Sequence, residues 1–421
     1  MTVRVVCADA ILPGEDPPLR DAAVVLEEDG TVVDTGSSRE LLARYAGAPI
    51  ETVRGVVIPG LVNAHAHVEL SALRGKVQGG AGFVPWVERL IALRAAEPPE
   101  EDDDAIERAA AELEAFGTVA VGEVTNTLAA VRALAGHGIG GIVFHEVFGL
   151  DRAQALARIS KLESDAAAPH SGVPAPDFAY APAPHTVYTT HPDAVRAVLR
   201  KVREHGLRTT VHLAEHAAER TFLEEGTGPF RDFAARMRFP VDGFPIPRQG
   251  PVHFAADLGL LAPDVLLVHL TDARTGELDM IAQSGAPVVL CPRSNLFIEV
   301  KLPPLAEMLR AGIVPALGTD SLASNLSLDV LAEAKALADR FPAVPKATLL
   351  RMATAAGADA LGRADLGRIA KGKRPGILAV FGELAPGADP CEFVLRQPPT
   401  QRRWINHRPL SLFPSKAPGP S

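Results

Sequence analysis

Eight short apolar runs, separated by segments whose apolar residues recur at helical spacing, succeed one another between Val57 and about Leu361. The runs are Val57–Val62, Val119–Val124, Gly141–Val147, Phe178–Pro182, Arg208–Leu213, Val265–Leu270, Pro287–Cys291 and Val314–Leu317. Strands that alternate with helices pair in parallel through crossover connections. Eight of them in about 300 residues suit a closed sheet better than an open one. The expected fold is therefore α/β, a (β/α)₈ TIM-like barrel over residues 57–361.

The flanks read differently. Arg4–Val6, Ala23–Leu26, Thr31–Asp34 and Gly55–Ile58 are β-like runs divided by turn residues. After Leu366, short β-like pieces return at Ile377–Phe381 and Glu392–Leu395 among Gly and Pro. Segments 1–56 and 362–421 are thus expected to form one small composite β domain, with a frayed tail after Phe413. Glu97–Asp104, with two prolines and six acids, reads as a solvated break between helices. The stretch 216–249 is long for a plain connection and follows a strand, which places a lid over the face where barrel sites lie.

Composition narrows the function. A formal net charge of −9 over 421 residues gives no broad basic surface, so nucleic-acid binding by charge is not expected, while a small-molecule substrate remains open. Cys7, Cys291 and Cys391 form no CxxC pair, which points away from a disulfide framework or a cysteine zinc site. The start lacks a basic, then apolar, leader, and no apolar run reaches membrane length. A cytoplasmic protein without membrane insertion is expected.

Asn63-Ala-His65-Ala-His67 ends the first apolar run. Alternate residues of an extended strand point to one side, so His65 and His67 can aim two imidazoles at one point, a metal-chelate geometry. His212 in TTVHLAE, His269 in VLLVHLTD and Asp320 in VPALGTDS end three further runs. Four strands thus deliver His or Asp at their C-terminal ends, the barrel face where catalytic groups collect. Glu215 follows His212 by three positions and falls beside the same site.

These pieces, PGLVNAHAHVEL from Pro59, HLAE from His212, VHL from Val268 and GTDS from Gly318, resemble the amidohydrolase superfamily, in its mononuclear deaminase branch. The resemblance implies His65, His67, His212 and Asp320 as metal ligands, Glu215 as proton shuttle and His269 as the group that orients the attacking water. Three neutral imidazoles and a carboxylate suit one divalent metal, Zn²⁺ first, with Fe²⁺ or Mn²⁺ as alternatives. Such an ion can lower the pKa of a bound water from 15.7 to roughly 7. Asp320 can then take a proton while Glu215 protonates a ring nitrogen, and the tetrahedral adduct expels ammonia. The two-metal relatives use a lysine after the fourth strand; here that strand ends in Ala181-Pro-Ala-Pro-His185, so a single metal is expected.

Further candidates for the substrate wall are His185 and Tyr188 after the fourth strand, Glu69 as a holder of a sugar hydroxyl or a supporting group, and Arg293, Ser294 and Asn295 after the seventh. His137 and His205, each followed by Gly, read as helix C-terminal residues without a catalytic role, and His170 and His407 as ordinary positions. Within the branch, HVELSALRG, GTGPF and LCPRSN with LGTDSLASN look most like 6-aminodeoxyfutalosine deaminases of menaquinone biosynthesis. Adenosine or S-adenosylhomocysteine, guanine and triazine-type hydrolases share the same metal set and stand as alternatives. A catalytically silent binding or scaffold relative is a reading of another class. Relatives of this type are frequently dimers, which makes a homodimer the expectation. Near Lys371 the chain has Gly376-Ile377 where the relatives commonly carry Ala-Asp.

Overall fold

The computed structural model describes residues 2–96, 99–168, 171–173, 175 and 177–407. The tail after Phe413 and His170 lie outside them. With strands numbered in chain order, β1 (Val3–Ile11), β2 (Leu19–Glu27), β3 (Val32–Ser37) and β4 (Ile50–Pro59) join β13 (Ile377–Phe381) and β14 (Arg402–Asn406) in one six-stranded sheet. Its order is β14-β13-β4-β1-β2-β3, with β1 and β4 parallel and the other pairs antiparallel. The period of two is visible in the packing. Val6, Val24, Leu26 and Ile377 fill one face, while Val5 and Val25 fill the other beneath the helix Ser38–Arg44, which adds Leu41.

The run Val57–Val62 is divided between two sheets. Val57–Pro59 belong to β4, and the next strand starts only at Leu61. Pro59 has no N–H to extend a ladder, and Gly60 permits a close approach, since a Cβ there would stand 2.3 Å from Val119. Gly376 has the same logic at the start of β13: its φ of +65° is left-handed, and an added Cβ would meet Val119 at 2.8 Å. The departure from Ala-Asp at Gly376-Ile377 is thereby accounted for by backbone and packing.

Two four-stranded parallel sheets follow. The first holds β5 (Leu61–Ala66), β6 (Thr118–Thr125), β7 (Gly140–Val147) and β8 (Phe178–Pro184) in that order. The second holds β9 (Thr209–Leu213), β10 (Val265–His269), β11 (Val288–Leu290) and β12 (Ala316–Leu317). Single parallel bridges connect them at both edges, Thr186 with His212 and Ala66 with Asp320. Every residue of β6, β7 and β9 is buried, as parallel strands covered by helices require.

Two expectations about local structure change. Glu392–Leu395 lie in the helix Pro390–Arg396, not in a β piece. Asp389 caps that helix by accepting from Cys391 N, with Pro390 in the first turn, and these start signals outweigh the apolar pair Val394-Leu395. The acidic run is no break beyond residue 98, because the helix Pro99–Phe116 already includes Asp102–Asp104, and acids near a helix start suit its dipole. Residues 216–249 form two helices, Ala217–Glu225 and Pro229–Arg236, divided by a left-handed Gly226. Phe222, Phe230, Phe233 and Phe244 bury this segment against the main core.

Candidate metal centre

Each chemistry-bearing residue hangs from the C-terminal end of a parallel strand. His65 lies in β5 and His67 just beyond it, His212 in β9, His269 at the end of β10, and Asp320 after β12. His65 is wholly buried, and its ring centre stands 4.9 Å from that of His67, 5.0 Å from His212 and 5.7 Å from His269. Nε2 of His67 is 3.3 Å from Nε2 of His212 and 3.8 Å from Oδ1 of Asp320. One nitrogen from each of His65, His67 and His212 falls within 4.8 Å of the others.

The backbone bends to achieve this. His269 and Asp320 adopt left-handed φ values of 76° and 57°, and Ala214 beside Glu215 one of 48°. Non-glycine residues held there cost stability, and such strain collects at functional sites. Asn63 and Thr319 lock the two strand ends together: Asn63 Nδ2 donates to Thr319 Oγ1 at 2.7 Å, and Thr319 N donates to Asn63 Oδ1 at 3.1 Å.

The hydrogen bonds that surround the cluster fix what each ring offers. Nδ1 of His212 donates to the carbonyl of His185 at 2.8 Å, which leaves Nε2 free of a proton and facing the cluster. Asn295 holds Nδ1 of His269 at 3.2 Å, so Nε2 turns to Glu215 Oε1 at 3.5 Å. Asp320 Oδ2 accepts from Ser294 at 2.5 Å and Ser324 at 3.3 Å. Ser294 and Asn295 therefore reach the cluster. Arg293, their neighbour, turns away to Ser327 and Glu333.

Electrostatics separate the two acids. Burial alone would raise Asp320, but His67, His269 and the Ser294 hydrogen bond outweigh it and hold the carboxyl below its ordinary value. Glu215 is pushed well above the ordinary range by burial, then by the nearby Asp320, Glu219 and Glu299 carboxylates. The two carboxyls are thus biased oppositely, Asp320 toward its ionised form and Glu215 toward its protonated form. Burial lowers His269 to about 4 and His212 to about 3, so both imidazoles are neutral at pH 7.

Both ring nitrogens of His65 are buried without a hydrogen-bond partner. Buried polar groups are ordinarily paired, and a cation would take the lone pair of one of these nitrogens, on a ring faced by two further imidazoles and a carboxylate. The donor set fits a borderline divalent metal.

The remaining sequence candidates divide. His185 stands beside His212, ring centres 5.1 Å apart, with Nδ1 2.7 Å from Thr189 Oγ1. Tyr188 is buried against Phe230, with its hydroxyl 2.9 Å from His216 Nε2, under the 216–249 segment. Glu69 accepts from Thr125 Oγ1, Thr127 Oγ1 and the N–H groups of Asn126 and Thr127, which ties the loop after β6. His137 and His205 follow helix ends, each before a left-handed glycine.

Sequence reasoning missed several groups. Glu219 is fully buried and accepts from Ala214 N at 3.1 Å and Glu215 N at 2.9 Å, which holds the turn that presents Glu215. Its position four residues after Glu215 is the signal that could have found it. Glu123 accepts from Val68 N beside His67. His216 stacks on Phe83 at 4.1 Å, and Glu146 lies near His185 and His212.

The Amidohydrolase family matches residues 56–399, a span that holds every one of these groups. The chain belongs to that family. This amidohydrolase is 30% identical over 385 residues to the 5-methylthioadenosine/S-adenosylhomocysteine deaminase of Nitratidesulfovibrio vulgaris, covering 86% of this chain and 80% of the relative. It is 29% identical over 364 residues to the aminodeoxyfutalosine deaminase of Nitratiruptor sp., covering 84% and 86%. In fold it is similar to the Helicobacter pylori aminofutalosine deaminase solved with methylthio-coformycin, with a TM-score of 0.83, 22% identity and coverage of 95% and 100%. The amidohydrolase has, among its described residues, no helix long and apolar enough to cross a membrane.

Proposed function

We propose that this amidohydrolase is a one-metal deaminase of an aminopurine nucleoside, with 6-aminodeoxyfutalosine of menaquinone biosynthesis as its substrate. The observation that carries the reading is the His65 ring, buried with both nitrogens unpartnered among His67, His212, His269 and Asp320. His65, His67, His212 and Asp320 would hold the metal, with Zn²⁺ the best fit to three imidazoles and a carboxylate. When bound, that ion supplies the Lewis acidity that makes water a nucleophile near neutral pH.

The chain's own residues do the proton work. As the water oxygen bonds to the carbon that bears the amino group, Asp320 takes a water proton; Ser294 and Ser324 donate to its Oδ2 and Ser321 N to its Oδ1, which hold the carboxylate in place. Glu215 gives its proton to the adjacent ring nitrogen. His269 orients the water, with its ring held by Asn295. The proton on Asp320 then passes to the amino group, the carbon–nitrogen bond breaks as the carbonyl forms, ammonia leaves, and the hydroxyl proton of the adduct returns to Glu215. Ser294 and Asn295 act through Asp320 and His269.

The two parallel sheets would close as one eight-stranded barrel, in line with the edge bridges. Segments 1–56 and 362–421 would form the composite β domain, in line with the six-stranded sheet. The 216–249 segment would cover the pocket. The test is ammonia release from 6-aminodeoxyfutalosine, adenosine, 5-methylthioadenosine and S-adenosylhomocysteine. The first should show the highest kcat/KM; no ammonia from any of them would refute the reading.

A further inference from the structure

Glu146 sits near the end of β7 and is 4% exposed. Its Oε2 accepts from Asn126 Nδ2 at 2.7 Å, and Asn126 is fixed in turn by Glu69 and by Arg158, which donates to Asn126 Oδ1 at 3.2 Å. Oε1 is different: it is buried and has no hydrogen-bond partner. It faces Nε2 of His185 at 4.0 Å and Nδ1 of His212 at 3.9 Å, distances too long for direct bonds. An acceptor left bare beside two imidazoles, with its partner oxygen clamped, is costly unless something else completes it.

Two occupants can be compared. Glu146, His185 and His212 have the spacing of a cation site. However, Nδ1 of His212 donates to the His185 carbonyl at 2.8 Å, so it carries a proton and cannot also ligate. A hydrogen-bond donor from a ligand meets no such conflict. The His185 side chain beside Oε1 is 32% exposed, with Nδ1 2.7 Å from Thr189 Oγ1 and Nε2 toward Oε1, so this side of the carboxylate lies next to solvent. Phe148 beyond it is 41% exposed, with the Arg158 guanidinium 3.7 Å over its ring.

We infer that Glu146 is a substrate-recognition residue, whose Oε1, together with His185, receives a sugar hydroxyl of the nucleoside. This rests on the aminopurine nucleoside reading above. A carboxylate only accepts, so the group it takes must donate, and beside its base a nucleoside offers hydroxyls. An anionic group such as a phosphate or carboxylate is refused at this position. Glu69, for which the sequence left a sugar hydroxyl or a supporting role open, has its oxygens filled by the loop after β6. Glu146 takes the hydroxyl instead.

The experiment uses the metal-loaded full chain and ligands that cannot be deaminated: inosine, 2′-deoxyinosine and 3′-deoxyinosine, titrated by calorimetry. Removal of the recognised hydroxyl should weaken binding about ten-fold or more in the parent protein, as for a hydrogen bond to a charged group. In Glu146→Gln, which keeps the volume, and in Glu146→Ala the same comparison should fall below about two-fold. Equal ratios in parent and variants, or no binding of any nucleoside, would overturn the inference. Ammonia release from adenosine is scored separately. Binding with the expected ratios but no ammonia would refute the deaminase reading and leave Glu146 as a hydroxyl receptor.

Discussion

Removal of Glu219 should damage both stability and catalysis, although this side chain touches neither metal nor substrate. Its two oxygens accept from Ala214 N and Glu215 N at 3.1 and 2.9 Å, and the residue is 0% exposed. Glu219→Ala leaves two buried backbone donors without partners, at about 1–3 kcal/mol each. A small truncation cavity adds to that, while some relaxation of the turn subtracts. The expected loss is roughly 2–5 kcal/mol. Because Ala214 is held at a φ of 48°, the freed turn should relax and carry Glu215 away from its place 3.5 Å from His269. The assay is paired: urea unfolding for stability, and kcat with metal content for the site. We expect the metal to stay bound while kcat falls about ten-fold or more. A loss below about 0.5 kcal/mol, with kcat unchanged, would refute the assignment of Glu219 as the support of Glu215.

Other consequences follow from the same geometry. His65→Ala and Asp320→Asn should abolish metal-dependent turnover, with Asp320→Asn retaining part of the metal; elemental analysis alongside ammonia release checks both. Glu215→Gln should keep full metal content and lose about 10²-fold or more in kcat, the range for a general acid; normal turnover would remove it from the mechanism. Burial, then His269, lowers His216 to about 3, against 6.5 in the unfolded chain. The folded state therefore holds His216 neutral, and the unfolded state takes up the proton first as pH falls. The stabilisation is complete above pH 6.5 and is lost as pH drops toward 3, by up to about 1.4 kcal/mol per pH unit. His216→Gln should flatten that part of the unfolding profile between pH 6.5 and 4, measured by urea midpoints; an unchanged slope would contradict it.

The sequence made the strand-end residues legible because their signal is doubled. His65 and His67 share the two-residue period of a strand, and His212, His269 and Asp320 each close an apolar run. Those runs became β9, β10 and β12. Glu146 and Glu219 gave no such pattern, since a lone Glu in an apolar run, as Glu146 is in β7, or in the first turn of a helix, as Glu219 is in Ala217–Glu225, has the same local appearance as a solvated one. Only tertiary packing gives each of them its buried partners. The division of Val57–Val62 between β4 and β5 was hidden because both sheets bury their strands there, so hydrophobicity runs on across Pro59-Gly60. The helix Pro390–Arg396 was misread because Phe393 and Val394 are good strand formers and pack in or against the core. Its Asp389-Pro390 start was the better guide.

The claim on which all else depends is that His65, His67, His212 and Asp320 share one cation. Anomalous diffraction at the zinc edge, on crystals of the zinc-loaded protein, tests it directly. One full-occupancy peak should lie about 2.0–2.2 Å from a nitrogen of each histidine and an oxygen of Asp320. A peak centred instead on Glu146 and His185, or no peak within the cluster, would contradict the account.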